Sequence, residues 1–161
     1  MDGAFAVNHA HTIFARKAAL YYLATLAWMG VIFWFSHQPS DASSGQSGII
    51  VESITTATGV TLPEVVVRKS AHFIAYAILG TLVAFTVLRH TIPAKTAAKI
   101  AALIVVAYAI SDEFHQLFIP GRSGEVTDVL LDSIAGILAI VLIFSYRAHS
   151  QLPKRKNHSK M

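Results

Sequence analysis

The segment from Ser111 to Asp132 carries most of the side chains in this chain that can perform acid–base or ligand-binding chemistry. It contains five of the nine acidic residues, together with His115, Gln116 and Arg122, and long apolar stretches flank it on both sides. Ionisable side chains placed between stretches of membrane-spanning length are costly to bury, and by default they mark a functional site. We therefore take this segment as the first candidate for a functional site.

A second polar group lies in the preceding apolar stretch, where Lys69, His72 and Tyr76 follow an i, i+3, i+7 spacing and share one face of a helix. A histidine can act as general base or acid when a carboxylate orients its ring, and arginine matches the geometry of phosphate and carboxylate groups. We predict three catalytic candidates: His72, Asp112 and His115. The predicted substrate-binding candidates are Arg68, Lys69, Tyr76, Glu113, Gln116, Arg122, Asp128 and Asp132.

A divalent metal is an alternative role for the same side chains. The ligand set considered is His72, Asp112, His115 and Asp132. The chain has no cysteine, which excludes a thiolate site, and it has no single-helix ligand motif such as HExxH. The residue types therefore leave the cofactor, and with it the question of catalysis, open.

The composition is that of a membrane protein. Of 161 residues, 54% are hydrophobic and only 14% are charged, and the mean hydropathy is +0.54. Soluble domains usually carry about a quarter charged residues. The length suits one small bundle.

Four apolar segments are long enough to cross a bilayer, which takes about 20 helical residues. They run from Ala18 to Ser36, from Pro63 to about Leu88 and from about Pro93 to Phe118. The fourth is capped by Ser123 and runs to about Tyr146, and Gly136 within it should let a neighbouring backbone approach closely. The Ser- and Gly-rich stretch SDASSGQSG predicts a loop, and Gly48 to Thr58 predicts an interfacial helix or a single helical turn. The predicted fold class is an all-α integral membrane bundle of four transmembrane helices with a short extracytoplasmic interfacial segment.

The basic residues predict the topology. Residues 1–17 form a polar lead, 18–146 the transmembrane domain and 147–161 a basic tail. Ten of the thirteen Lys and Arg residues lie in 1–17, 89–99 and 147–161, which four spans place on one side. The positive-inside rule then predicts a plasma or inner membrane protein with both termini in the cytoplasm. No nucleic-acid partner is predicted, because no aromatic or structured element accompanies these charges. The oligomeric state is left open.

Helical rise places the polar residues in one layer. At about 1.5 Å per residue, His72, Asp112 and Asp132 lie ~20 to 25 Å from the cytoplasmic edge, in the outer part of a core about 30 Å thick. On the third helix, Asp112 shares a face with His115 and Gln116, while Glu113 points elsewhere. We therefore expect one cluster from three helices: His72, Asp112, His115, Arg122 and Asp128.

The carboxyl groups in this layer need partners or protons. Burying unpaired carboxylates is expensive, so at least one is expected to be protonated or paired with a cation. Asp132 lies deep in the middle of its helix and is the one expected to be neutral. Asp132→Asn should therefore be tolerated better than Asp112→Asn.

Three blocks of the sequence resemble a known family: WFSHQPS, RKSAHFIAYAILG and SDEFHQLFIPGRSGEVTDVLLDSIAG. The chain from Leu26 to Ile143 resembles VanZ-like membrane proteins. The resemblance implies a multi-pass envelope protein in a family whose namesake is associated with low-level resistance to the glycopeptide teicoplanin. It implies no reaction mechanism. Asp132 stands where we expect Asn in many relatives.

These observations support three functional hypotheses. In the first, an outward-facing site binds or modifies an anionic, lipid-linked or peptidoglycan-related envelope component, in contact with membrane lipids, and affects glycopeptide susceptibility. In the second, the protein is a structural or accessory component and the polar cluster holds the bundle together. In the third, it is a small oligomeric transporter. Transport through a single bundle is disfavoured, because the inner halves of the spans lack charge and proline.

Overall fold

Five α-helices make up the described part of the chain. The computed structural model describes residues 2–150, with side chains from residue 18 onward. The helices are α1 (Asp2–Ser36), α2 (Ser40–Thr58), α3 (Glu64–Val87), α4 (Ala94–Gln116) and α5 (Val126–Ser150). Four segments are long and apolar enough to cross a membrane: Ala18–Ser36, α3, α4 and α5. The predicted all-α bundle of four spans is therefore confirmed, and the predicted span limits are close to the observed ones.

The predicted lead and tail are only partly described. α1 begins at Asp2, so the helix includes most of the lead 1–17, whose side chains lie outside the described residues. The first four residues of the tail, 147–150, continue α5, and residues 151–161 lie outside the described part of the chain.

The central helix of the bundle is α3. It contacts α1, α2, α4 and α5, and its contact with α5 is the most extensive of all. Tyr76, Leu79 and Val83 lie on one face of α3 and are almost completely buried. Tyr76 belongs to the helix face that the sequence predicted for Lys69 and His72. The facing side of α4 is lined at four-residue intervals by small side chains, which allow close helix contact: Ala97, Ala101, Val105 and Ala109.

Two glycines bring α3 and α5 together. A Cβ atom on Gly80 would lie 2.7 Å from the Cα of Gly136, and a Cβ on Gly136 would lie 3.2 Å from the carbonyl oxygen of Tyr76. The predicted close backbone approach at Gly136 is confirmed. This approach aligns the polar residues of the two helices near the end of the bundle that carries α2, which we call the α2 end. The connection 88–93 lies at the opposite end.

The prediction of a loop for SDASSGQSG is wrong, because this stretch forms the first half of α2. Pro39 precedes the helix, and Gly59 ends it in a left-handed conformation (φ 73°) with its N–H bonded to the Thr55 carbonyl at 2.8 Å. Both residues are typical helix boundary signals. The Ser40 N–H also donates to the Pro120 carbonyl at 3.3 Å, which joins α2 to the α4–α5 connection. These boundary and tertiary contacts outweigh the low helix propensity of Ser and Gly.

The start of α5 also differs from prediction. Ser123 does not cap it, since the helix begins at Val126 and the Glu125 carbonyl accepts the N–H of Asp128 at 3.0 Å. The Glu125 N–H donates to the carboxylate of Glu113 at 3.0 Å. A buried side chain from α4 therefore satisfies the backbone at the position where α5 begins.

Candidate functional site

Four side chains from three helices meet in the interior near the α2 end, and we call them the polar cluster: His72, Asp112, Glu113 and Asp132. One potential ligand atom from each lies within 4.8 Å of the other three. The residue exposures are 3% for Asp112, 4% for Glu113 and 0% for Asp132, and the His72 side chain is 20% exposed. The cluster is thus closed on the carboxylate side and open to its surroundings only through the imidazole.

Asp112 is held by two hydroxyl groups. Ser36 Oγ donates to its Oδ2 at 2.9 Å, and the Tyr76 hydroxyl donates to the same oxygen at 3.2 Å. Because these donors come from α1 and α3, the carboxylate is fixed by two neighbouring helices. The second oxygen, Oδ1, is buried and has no hydrogen-bond partner among the described residues.

Asp132 contacts the imidazole of His72. The distance from His72 Nδ1 to Asp132 Oδ2 is 3.3 Å, and Asp132 Oδ1 is buried without a partner among residues 18–150. A carboxylate in this position orients the ring and selects the nitrogen that carries a proton. The structure thus brings Asp132 together with His72 and Asp112, whereas the cluster predicted from the sequence did not include Asp132.

The prediction that Glu113 points away from the site is wrong. Its Oε1 accepts the Gln116 amide at 2.9 Å and its Oε2 accepts the Glu125 N–H at 3.0 Å. Successive residues of a helix are rotated by about 100° around its axis. Measured from Asp112, Gln116 is therefore rotated by about 40° and Glu113 by about 100° in the same direction. The buried face of α4 is centred between these residues.

His115 lies outside the polar cluster, contrary to its predicted place among the catalytic and metal-binding candidates. Around the axis of α4, His115 is rotated by about 60° from Asp112, in the direction opposite to Glu113. Its Nε2 is 3.1 Å from Nδ1 of His37, and its ring packs on Phe33 with centroids 4.7 Å apart. The spacing of Asp112 and His115 could not predict that His115 lies outside the cluster. Two residues at i and i+3 both face the interior only when the buried face of the helix is centred between them.

Arg122 joins the α1–α2 connection to α4. Its Nε donates to the Gln38 carbonyl at 2.9 Å, Nη2 to the Phe35 carbonyl at 3.3 Å and Nη1 to Gln116 Oε1 at 3.2 Å. Burial lowers the pKa of the guanidinium from its usual range, although an arginine keeps its proton in proteins. All three of these acceptors are neutral, so they orient the positive charge without cancelling it.

The remaining predicted residues lie at the rim of the α2 end. Lys69 is paired with Asp128, and its Nζ lies 3.7 Å from the Glu125 carboxylate. Arg68 belongs to no ion pair among residues 18–150. The sequence predicted a single cluster, but the structure separates these residues into two groups. One is the buried polar cluster, and the other is a basic rim that includes the ion pair of Lys69 and Asp128.

Two cavities adjoin at this rim. The larger, about 320 Å³, is mostly apolar and lies between α1, α2 and α3, with Trp28, Val31, Phe35 and Ile50 among its walls. The smaller, about 60 Å³, is mostly polar and includes Gln116, Glu125 and Asp128. Both cavities are lined by Ser43, Arg68, His72 and Arg122.

Ser36 is the site residue that sequence reasoning did not identify. It is buried, and it is one of the two hydroxyl donors to Asp112. The available signal was its position at the end of the first span, at the level where the other helices carry their polar groups.

A family model described as VanZ/LLP1 matches residues 21–147 of this chain, which include α2 to α4, most of the spanning part of α1 and most of α5. No curated protein and no solved structure matches the chain.

Proposed function

The chain belongs to the VanZ/LLP1 family of membrane proteins, and we propose that its α2 end binds the anionic head group of an amphipathic, lipid-linked molecule of the cell envelope. The observation that carries this proposal is the adjacency of an apolar and a polar cavity that share Arg68, His72 and Arg122. Ligand sites combine apolar walls with a few placed polar groups. An amphipathic molecule matches both cavities, with its chain in one and its head group in the other.

The charges at the shared wall favour an anion. Arg68 has no ion-pair partner among the described residues, and Arg122 is bonded to neutral acceptors. Two guanidinium groups without carboxylate partners can bind phosphate or carboxylate oxygens through charge-assisted hydrogen bonds. Lys69 is less available, because Asp128 and Glu125 already lie beside it.

His72 gives the proposed site a group that can exchange protons. It lines both cavities, and Asp132 contacts its Nδ1. If the bound molecule is also modified, His72 is the residue we assign as acid or base. Binding alone requires only the two arginines.

Arg68→Gln is expected to weaken binding of an anionic lipid by about 10-fold or more, because a hydrogen bond to a charged group contributes about 1.5 to 3 kcal/mol. The full-length protein in nanodiscs would be titrated with a polyprenyl phosphate, with phosphatidylcholine as the zwitterionic comparison. In cells, we expect the same variant to alter glycopeptide susceptibility at unchanged protein abundance.

Lys95→Gln is the matched control for this test. Lys95 is exposed in the first turn of α4, at the opposite end of the bundle, and its loss changes the net charge equally. We expect unchanged binding by Lys95→Gln. Wild-type affinity in Arg68→Gln protein, or an equal loss in both variants, would show that the α2 end does not bind the anion.

A second candidate function, assembly and stabilisation of the bundle alone, is favoured by the contacts of Asp112 with both α1 and α3. It makes a different prediction for the same variant. If the role is structural, substitutions in the cluster should lower abundance, whereas Arg68→Gln protein should fold normally and change no phenotype.

We also propose that the α2 end faces out of the cell and both termini face the cytoplasm, supported by the distribution of basic residues. The chain has no cysteine, so single cysteines at Ser44, Ala94, Ser123 and Ser150 give unambiguous labelling. In intact cells a membrane-impermeant maleimide should label positions 44 and 123 but not 94 and 150. Labelling of position 123 only after the cells are opened would contradict this orientation.

A further inference from the structure

The polar cluster has the composition and spacing of a metal site. We propose that His72, Asp112, Glu113 and Asp132 bind one divalent first-row metal ion, with Mn²⁺ and Zn²⁺ the best-matched probes. This proposal goes beyond the lipid-binding function, because it concerns an internal group of side chains and can be tested without a lipid. Compared with the ligand set predicted from the sequence, the proposed set contains Glu113 in place of His115, which lies beside His37.

The spacing of the four side chains is close to that of a formed site. Metal–oxygen and metal–nitrogen bonds of about 2.0 to 2.2 Å place two ligands on opposite sides of an ion at most ~4.4 Å apart. The potential ligand atoms here lie within 4.8 Å of one another. Side-chain shifts of up to ~1 Å would bring these atoms to bonding distance from one central ion, without movement of the helices.

The buried oxygen atoms without partners point to a missing ligand. Asp112 Oδ1 and Asp132 Oδ1 are each shielded from solvent and accept no hydrogen bond from residues 18–150. The parent residues are 3% and 0% exposed. Buried polar atoms nearly always have a partner, and a cation between these two carboxylates would serve both at once.

The charge balance also favours a cation. No Lys or Arg of residues 18–150 forms an ion pair with Asp112, Glu113 or Asp132, and the cluster's one cationic candidate is His72. Lys69 is engaged at the rim by Asp128 and Glu125. Three carboxylates buried in a membrane bundle carry a large desolvation cost unless protons or a metal ion compensate them.

The donor set determines the class of metal. Carboxylate oxygens suit Mn²⁺ and Mg²⁺, whereas an imidazole nitrogen suits Zn²⁺ and Fe²⁺, and the absence of sulfur disfavours Cu⁺. One imidazole with three carboxylates is therefore a mixed set for Mn²⁺, Fe²⁺ or Zn²⁺. The hydroxyls of Ser36 and Tyr76, which donate to Asp112, would orient that carboxylate toward the ion.

The test uses full-length, tag-free protein in detergent, first stripped with a chelator and then titrated with Mn²⁺ or Zn²⁺ alone. We expect saturation at one ion per chain and an increase in Tm that the chelator reverses. Pulsed EPR of the Mn²⁺ form should show nitrogen coupling from a single imidazole. This readout needs no variant, so it remains decisive if a substitution prevents folding.

Asp132→Asn and Glu113→Gln preserve side-chain size and should weaken metal binding by at least about 100-fold, since loss of outer-sphere contacts alone costs 10- to 100-fold. Loss at Asp132→Asn would reverse the sequence-based expectation that this substitution is tolerated. Asp41→Asn, exposed in the first turn of α2, and His115→Gln, beside His37, are the matched controls and should bind as wild type.

Three results would overturn the proposal: no saturable binding by wild-type protein, binding by Asp132→Asn equal to wild type, or no nitrogen coupling in the Mn²⁺ spectrum. If the wild-type protein bound no metal ion, the buried carboxylates would have to be neutralised by protons instead. None of them bears on lipid binding, which depends on Arg68 and is measured separately.

Discussion

Gly80→Ala is expected to destabilise the bundle by about 3 kcal/mol or more, because the new methyl group would meet backbone atoms of α5 and no flexible side chain could make room. The added Cβ would lie 2.7 Å from the Gly136 Cα and 2.9 Å from its carbonyl carbon. Relief of these contacts requires α3 and α5 to separate where their contact is most extensive. Unfolding in detergent, measured by titration with a denaturing detergent, gives the change in free energy.

Two further glycines provide the comparison. A Cβ on Gly136 would meet chiefly the tip of the Val105 side chain, so Gly136→Ala should cost less than Gly80→Ala, and Val105→Ala should partly rescue it. Gly30 lies within α1 with nothing within 4 Å of an added Cβ. Gly30→Ala should therefore be neutral or stabilising by up to about 1 kcal/mol. Equal effects of Gly80→Ala and Gly30→Ala would refute the proposed close contact.

Arg122→Ala is expected to destabilise the α2 end by about 3 kcal/mol, because it leaves two backbone carbonyls and the Gln116 amide oxygen without their donor. Arg122→Lys should recover only part of this loss, since an ammonium group cannot reproduce the planar fork that contacts all three acceptors. The readouts are Tm and amide hydrogen exchange. Exchange in α2 should increase by about 10-fold or more, because Arg122 holds the connection that precedes this helix.

Arg68→Gln is the matched control for the structural effect of Arg122. Both arginines line the same two cavities, but Arg68 makes no ion pair within residues 18–150. Its substitution should leave Tm and α2 exchange close to wild type while it weakens anion binding. If Arg122→Ala changes neither Tm nor exchange, the three hydrogen bonds do not stabilise the α2 end.

The pair of arginines also separates the two functional hypotheses. A ligand-binding role predicts that Arg68→Gln changes lipid binding in a stable protein. A purely structural role predicts that the phenotype of each variant follows its abundance. Measuring stability and binding on the same preparations therefore assigns the function without an assumption about the reaction.

The sequence by itself determined the class of the fold, the number of spans and the level of the polar residues. Apolar stretches of about 20 residues have few alternatives to a membrane-spanning helix, and helical rise converts a residue count into depth. The same reasoning placed His72, Asp112 and Asp132 in one layer, where the structure brings them together, and it identified Gly136 as a point of close helix contact.

Only the tertiary structure decided which way each helix is turned about its axis. On α4, Glu113 rather than His115 completes the polar cluster, because the buried face is set by how the small residues of α4 pack against α3 and α5. A spacing rule identifies neighbours on a helix but not the side that faces the bundle. SDASSGQSG is likewise helical despite its low helix propensity, and the contact of Ser40 with the Pro120 carbonyl, 80 residues further along the chain, is one of the tertiary contacts of this helix.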